Sequence, residues 1–169
     1  MILEPFYPKE WVDSVYGIDW EQWRERGIRG AIFDIDNTLV PHGAPADERA
    51  IELFDRLRRL GVETCLLSNN KEPRVASFAG AVDSLYIFKG NKPSVKNYKK
   101  AMEWMGTSPE NTLFVGDQLF TDVYGANRAG IYGILVKPIN PKEEIQIVLK
   151  RYLEAVVLHF YKKKKMVEK

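Results

Sequence analysis

The segment FDIDNTLV, Phe33 to Val40, sets two carboxylates, Asp34 and Asp36, one residue apart at the end of an apolar run. A strand that only fills a core has no use for charge at its end. Further along, Ser68 closes the apolar run VETCLLS, Lys92 follows the run SLYIF, and Asp117 closes NTLFVGD with Asp122 close behind. Asp34, Asp36, Asp117 and Asp122 brought together would crowd negative charge, and like charges a few ångströms apart raise one another's pKa. A hard divalent cation such as Mg2+ prefers oxygen ligands and removes that conflict. Lys92 neutralises one charge more. Ser68 and Asn69 add a hydroxyl and backbone N–H groups for anionic oxygens. Such a set stabilises charge on a transferring phosphoryl group, and a central carboxylate can attack phosphorus to give an aspartyl phosphate.

These residues meet only if the chain folds in a particular way. Apolar runs at 30–35, 62–68, 84–88, 111–117 and 131–136 read as strands, separated by helical patterns at 46–61, 72–80, 94–106 and 118–130. In the first of these helices Ile51, Phe54, Leu57 and Leu60 recur at helical spacing, and Gly61 and Gly106 act as stops. Gly125 weakens the helix at 118–130. A long helix covers 141–161. Alternating strands and helices imply right-handed crossovers and a doubly wound parallel sheet, a three-layer α/β/α arrangement. Sites in such sheets lie at the carboxyl ends of the strands. Asp34, Asp36, Ser68 and Asp117 all stand at such ends, and Lys92 follows one. In a strand, residues two apart point the same way, which would aim Asp34 and Asp36 together.

The four segments in this order resemble the haloacid dehalogenase (HAD) superfamily of phosphatases, with a Rossmann-like core. The D-x-D-x-T motif is Asp34-Ile35-Asp36-Asn37-Thr38, the strand-end Ser is Ser68, the Lys-Pro pair is Lys92-Pro93, and G-D-x-x-x-x-D is GDQLFTD. The resemblance covers about residues 29 to 138. It implies that Asp34 is the nucleophile and that Asp36 protonates the leaving alkoxide, then serves as base toward water. It implies Mg2+ held by the Asp34 carboxylate, the Asp36 backbone carbonyl and the Asp117 carboxylate. Asp122 is a ligand through water or orients Lys92. Ser68, Asn69 and Lys92 hold phosphoryl oxygens, and Thr38 fixes the first loop and is counted with them.

HAD enzymes select substrates largely through cap domains inserted between motifs. The 34 positions from Asp34 to Ser68 and the 24 from Ser68 to Lys92 are filled by one helix and one strand each, so the chain reads as capless. Only the flap Val40 to Asp47 would shield the site. An open site suits a large substrate: a protein, a nucleic-acid end or a phospholipid headgroup, or a small one if an oligomer partner roofs it. The tail bears on the choice. In the helix at 141–161, Ile145, Val148, Leu149, Tyr152, Val156 and Phe160 form one stripe, with Glu143, Gln146, Lys150, Arg151 and Glu154 opposite, and Lys162 to Lys165 follow. The apolar stripe suits a helix covering the sheet. The lysines suit an anionic membrane surface, where each basic residue adds about 1 kcal/mol.

The capless layout, the wording of the first and fourth motifs and the N-terminal arm are similar to the YqeG-type subfamily IIIA proteins and to mitochondrial-type phosphatidylglycerophosphate phosphatases. That resemblance implies a phospholipid headgroup as substrate. The missing signal and span patterns make a cytoplasmic protein the default, and the lysine tail suits a peripheral contact at the inner face of the membrane. A capless phosphatase for nucleic-acid ends, sugar phosphates or phosphoproteins stays open, as does a non-catalytic binding module for RNA or ribosomes.

Composition sets the outer bounds. With 169 residues, 45% of them hydrophobic, the chain suits one domain with a full core. It reads as an arm at 1–28 carrying Trp11, Trp20 and Trp23, a catalytic domain at 29–161 and a basic tail at 162–169. A net charge of +2 is too mild to call for a nucleic-acid partner. The single cysteine, Cys65, excludes an intrachain disulfide and reads as core. His42 and His159 lack ligand spacing. The first residues lack a secretory signal pattern, and no run reaches the ~18 apolar residues of a membrane span. Oligomeric state leaves no mark in the sequence.

Overall fold

The computed structural model describes residues 2–140 and 145–168, without the side chains of 145–148. Six parallel strands form one sheet: β1 (Glu10–Val12), β2 (Gly30–Phe33), β3 (Glu63–Leu67), β4 (Leu85–Ile87), β5 (Thr112–Gly116) and β6 (Tyr132–Val136), in the spatial order β1-β6-β5-β2-β3-β4. The helices are α1 (Trp20–Glu25), α2 (Glu48–Arg59), α3 (Glu72–Val82), α4 (Val95–Met105), α5 (Tyr124–Arg128) and α6 (Ile145–Val167).

The central strand is buried along its whole length, as a strand covered on both faces must be. Its residues alternate between the two layers. Ala31 and Phe33 join Trp20, Phe54, Leu57, Val75 and Phe78, under α1, α2 and α3. Ile32 joins Cys65, Leu67, Tyr98, Met102, Phe114 and Ala126, under α4 and α5. A third cluster lies at the β6 end, where Tyr7, Leu119, Val123 and Leu135 meet Val157 of α6, with Trp11 and Tyr161 packed alongside. The doubly wound α/β architecture thus stands, with three differences from the sequence reading.

First, the arm contributes a strand of its own. Glu10, Trp11 and Val12 pair with Ile134, Leu135 and Val136, so the sheet has six strands where apolar runs indicated five. Three residues are too few to show a period. Second, β2 ends at Phe33, leaving Asp34 and Asp36 in the following loop, where the two-residue strand rule no longer governs. Third, the stretch after Asp117 opens as a wide turn, with the Val123 N–H reaching the Gln118 carbonyl at 3.2 Å, before α5 begins. Gly125 has a packing reason: a Cβ there would stand 2.3 Å from the Tyr98 hydroxyl oxygen.

The strand order runs outward from β2 to β3 and β4 on one side, and to β5, β6 and β1 on the other. The direction of winding reverses between β2 and β5. Loops leaving the carboxyl ends of these two strands diverge and leave a crevice. No domain is inserted between β2 and β3 or between β3 and Lys92 among the described residues: α2, then α3 and β4, fill those spans.

Candidate active site

Asp34 follows β2 directly, and its N–H still bonds to the Val115 carbonyl, so the sheet fixes its backbone. The loop then turns through Asn37, whose φ of 61° is left-handed, a conformation Asn tolerates better than most residues. The turn is held from several sides. The Asn37 N–H bonds to the Val40 carbonyl, the Ile139 N–H to the Asn37 carbonyl, and the Tyr16 hydroxyl donates to Leu39 O at 2.6 Å. The N-terminal arm therefore supports the loop that carries both acids.

Lys92 is the hub of the site. It is buried, and its Nζ donates to Asp34 Oδ1 at 2.9 Å and to Asp122 Oδ1 at 2.6 Å. Burial alone would lower its pKa, but the Asp122 and Asp34 charges outweigh that and raise it, so Lys92 is an ammonium at any physiological pH. Its backbone is held by Asn69, whose Oδ1 accepts the Lys92 N–H at 2.8 Å and whose Nδ2 reaches the Lys92 carbonyl at 3.4 Å.

Asp34, Asp117 and Asp122 offer carboxylate oxygens that all lie within 4.8 Å of one another, and all three residues are buried. Burial, then the charges of Asp34 and Asp122, push Asp117 well above the usual carboxylate range, against the pull of Arg151. Burial and the Asp34 charge raise Asp122 to about 6, against the pull of Lys92. Three buried oxygen donors with unfavourable mutual charge are a donor set suited to a hard divalent cation. Asp122 is the least available of them. Its Oδ1 takes Lys92 and its Oδ2 accepts the Gln118 N–H at 3.1 Å. Gly116 makes room for it, since a Cβ there would lie 2.4 Å from Asp122 Oδ2.

Asp36 stands apart from the cluster, which corrects the expectation of four crowded acids. Its Oδ1 accepts the Gly43 N–H at 2.8 Å and Arg74 Nη2 at 3.0 Å, and its Oδ2 lies 3.4 Å from Asn70 Nδ2. Burial would raise its pKa, but the Gly43 N–H and the Arg74 guanidinium prevail and hold it below the usual range. With its side chain 15% exposed, Asp36 faces the mouth of the site under the turn at 41–46.

The remaining positions divide as follows. The Ser68 hydroxyl accepts the Asn70 N–H at 3.1 Å while its own N–H bonds to Ile87 O, which leaves the hydroxyl proton free to donate. The Thr38 hydroxyl donates to Asp117 Oδ1 at 3.2 Å and lies 3.5 Å from Asp34 Oδ2, so it faces the carboxylates and ties two strand ends together. The amide of Asn69 is occupied by the Lys92 backbone.

Three residues of this site were not anticipated. Arg74, in the first turn of α3, reaches Asp36. Arg151, on α6, places Nη2 2.5 Å from Asp117 Oδ2 and Nη1 2.6 Å from the Asp117 carbonyl. Glu154, one turn further on, is buried, receives Arg151 Nη1 at 3.0 Å, and accepts the Leu119 N–H at 3.0 Å. Two residues of the polar side of α6, Arg151 and Glu154, thus turn inward, alongside the apolar Val157 and Tyr161. Leu149, Tyr152, Leu153, Val156 and Phe160 are large apolar residues left exposed on it. The i, i+3 spacing of Arg151 and Glu154 was readable; its direction was not. A cleft of about 470 Å3 between α6, Trp11 and the end of β6 opens beside this pair and is lined by Asp117, Arg151 and Glu154. A larger one, about 840 Å3, lies at the amino edge of the sheet and is lined by neither Asp34, Asp36, Asp117 nor Asp122.

The chain is similar to known proteins in sequence and in fold. Residues 90–140 match the family described as "HAD-hyrolase-like". The chain is 36% identical over 165 residues to the "Probable phosphatase YqeG" of Bacillus subtilis, covering 97% of this chain and 96% of that one. It is 26% identical over 158 residues to phosphatidylglycerophosphate phosphatase 1 of Arabidopsis thaliana, covering 83% of this chain and 44% of that protein. The fold is that of a 3-deoxy-D-manno-octulosonate 8-phosphate phosphatase structure from Yersinia pestis, at 14% identity and a TM-score of 0.55 over 75% of this chain and 83% of that one.

Proposed function

Since the chain belongs to the YqeG family of HAD-type phosphatases, we propose that it is a Mg2+-dependent phosphomonoesterase that removes the terminal phosphate of phosphatidylglycerophosphate. The observation that carries the reaction is the junction at Lys92, where one buried ammonium bonds Asp34 and Asp122 while an Asp117 oxygen lies within 4.8 Å of both carboxylates.

Asp34 is the nucleophile. One of its carboxylate oxygens forms a bond to phosphorus as the bond from phosphorus to the leaving oxygen breaks, and a proton brought in on the substrate's phosphate monoanion passes through Asp36 to the departing alkoxide. Water then attacks the aspartyl phosphate, Asp36 takes the water's proton, and inorganic phosphate leaves with Asp34 restored. Lys92 and the Ser68 hydroxyl donate to the phosphoryl oxygens, where charge builds in the transition state. Asp34 and Asp117 through carboxylates, and Asp36 through its backbone carbonyl, would hold the magnesium. When bound, the ion neutralises charge on the carboxylates and on the phosphoryl oxygens. Asp122 orients Lys92 from the second side.

Two observations support a lipid headgroup as substrate. The spans between motifs carry no cap, so the mouth at Asp36 is left to a short turn. The outward stripe of α6, Leu149, Leu153, Val156 and Phe160, leads into exposed Lys163 and Lys165, a pattern suited to an anionic leaflet. The protein would then work at the inner face of the membrane by peripheral contact. No helix among the described residues is long and apolar enough to cross a membrane.

The test is phosphate release from vesicles containing phosphatidylglycerophosphate, with Mg2+ and with chelator. The expected result is Mg2+-dependent turnover that drops by about 10^3-fold or more in Asp34→Asn. Turnover of soluble phosphate esters without turnover of the lipid would remove the substrate and leave the reaction. Full activity in Asp34→Asn would falsify the nucleophile.

A further inference from the structure

Arg74 is placed where nothing in phosphoryl transfer itself requires a cation. Lys92 attends Asp34, and Arg151 attends Asp117, but Arg74 attends only Asp36, the acid on the leaving-group side. Asp36 does not depend on Arg74 for its position, because the Gly43 N–H and the Asn70 amide already hold its two oxygens. The guanidinium is mostly buried, with its side chain 17% exposed, and is tethered over the Phe78 ring at 5.6 Å. Its hydrogen bonding is half complete: Nη2 reaches Asp36, while the buried Nε on the same edge of the fork has no hydrogen-bond partner. A buried donor left without an acceptor is costly and calls for an explanation. The Nε and Nη2 edge matches a group with two anionic oxygens, which Arg binds in bidentate fashion.

We infer that Arg74 is a specificity-determining residue, taking a second anionic group carried on the leaving-group side of a phosphomonoester substrate. The leaving oxygen must come within hydrogen-bond reach of Asp36 to receive its proton. An acceptor of Arg74 then lies within three hydrogen-bond lengths of the leaving oxygen, at most roughly 9 Å away. A phosphodiester joined to the leaving oxygen through a three-carbon glycerol unit falls in that range. Nη2 carries two protons, so one can stay on Asp36 while the other, together with Nε, takes that group. A plain phosphomonoester with a neutral leaving group has nothing to offer it.

This deepens the phosphatidylglycerophosphate reading and rests on it for the choice of probe. The experiment compares two soluble esters with the full-length chain. One is glycerophosphoglycerol phosphate, the deacylated headgroup, with a phosphomonoester and a phosphodiester. The other is glycerol 3-phosphate, with the same reacting ester and no second anion. Wild type should favour the first by about 10- to 100-fold in kcat/KM, the worth of a charge-assisted pair. Arg74→Gln should bring the two values to within about threefold of each other by raising KM for the first, and Arg74→Lys should restore part of the preference. Equal use of the two esters by wild type overturns the inference. So does an Arg74→Gln variant in which both esters lose activity in the same proportion, as a purely positional role for Arg74 would produce. Preference for the second anion without lipid turnover in vesicles would sink the lipid substrate and leave Arg74's role standing. Lipid turnover with the preference intact in Arg74→Gln would do the reverse.

Discussion

Arg151 Nη2 lies 2.5 Å from Asp117 Oδ2, although the two residues are 34 apart in sequence and belong to different structural layers. The contact ties α6 to the end of β5, where the acidic cluster is assembled. A second bond from Nη1 to the Asp117 carbonyl at 2.6 Å, and the Glu154 carboxylate behind it, make it a clasp of several parts. Removing one partner of such a pair leaves an uncompensated buried charge.

Arg151→Met should therefore lower stability by about 2–4 kcal/mol, a fall in Tm of roughly 5–15 °C for a chain of this size. Thermal unfolding measures it. Adding Asp117→Asn should recover part of the loss, because the stranded carboxylate is then gone. An Arg151→Met protein that melts with wild type would show that the clasp carries no weight.

Gly125→Ala should destabilise although Ala is the better helix former. The propensity gain of about 1 kcal/mol is outweighed by a Cβ 2.3 Å from the Tyr98 hydroxyl, which is itself anchored on the Thr121 and Asp122 carbonyls. Overpacking of this kind costs about 1–3 kcal/mol, and denaturant titration should show a lowered midpoint. Because Tyr98 packs under Asp122, activity should fall with stability.

The acidic cluster sets a pH dependence in the chelated protein. Asp122 titrates at about 6 when folded, against 3.8 for an ordinary Asp. Between these values the folded protein holds more protons than the unfolded chain, so stability falls as pH rises from about 4 to about 6. Asp117 is raised by the same causes and acts in the same direction. Asp36 is held low, so its contribution is present above the ordinary value and lost only as pH falls further. The net fall should be on the order of 1–3 kcal/mol. Asp122→Asn should flatten the slope, and adding Mg2+ at pH 7 should raise Tm by mass action.

Cys65 should be inert in the native protein. It is fully buried against the α4 layer, and burial pushes its thiol up to about 12. A thiol reagent at pH 8 should leave it unmodified until denaturant is added. Rapid labelling of native protein would mean that β3 opens readily.

Much of the site is legible in the sequence because of a geometric regularity. Parallel strands joined by right-handed crossovers all end on one edge, so a polar residue closing each apolar run must lie near the others. That places Asp34, Ser68 and Asp117 at one edge, with Lys92 in a neighbouring loop, before any coordinates are known. The family resemblance is carried by the same residues, and the near-full-length likeness to the YqeG protein agrees with it.

What only the tertiary structure decided concerns direction. Asp36 looks like a partner of Asp34 in sequence, but β2 stops at Phe33, and the loop turns Asp36 toward Gly43 and Arg74. The strand Glu10–Val12 is too short to announce itself and exists because β6 offers it an edge. Helix α6 has an apolar stripe and a polar side, and periodicity says only that they differ. Tertiary electrostatics drew Arg151 and Glu154 inward beside Val157, because a buried Asp117 flanked by Asp34 and Asp122 is better compensated by a guanidinium than by another apolar side chain. Sequence fixes which groups are available; the charge left over when the strands meet decides which of them turn inward.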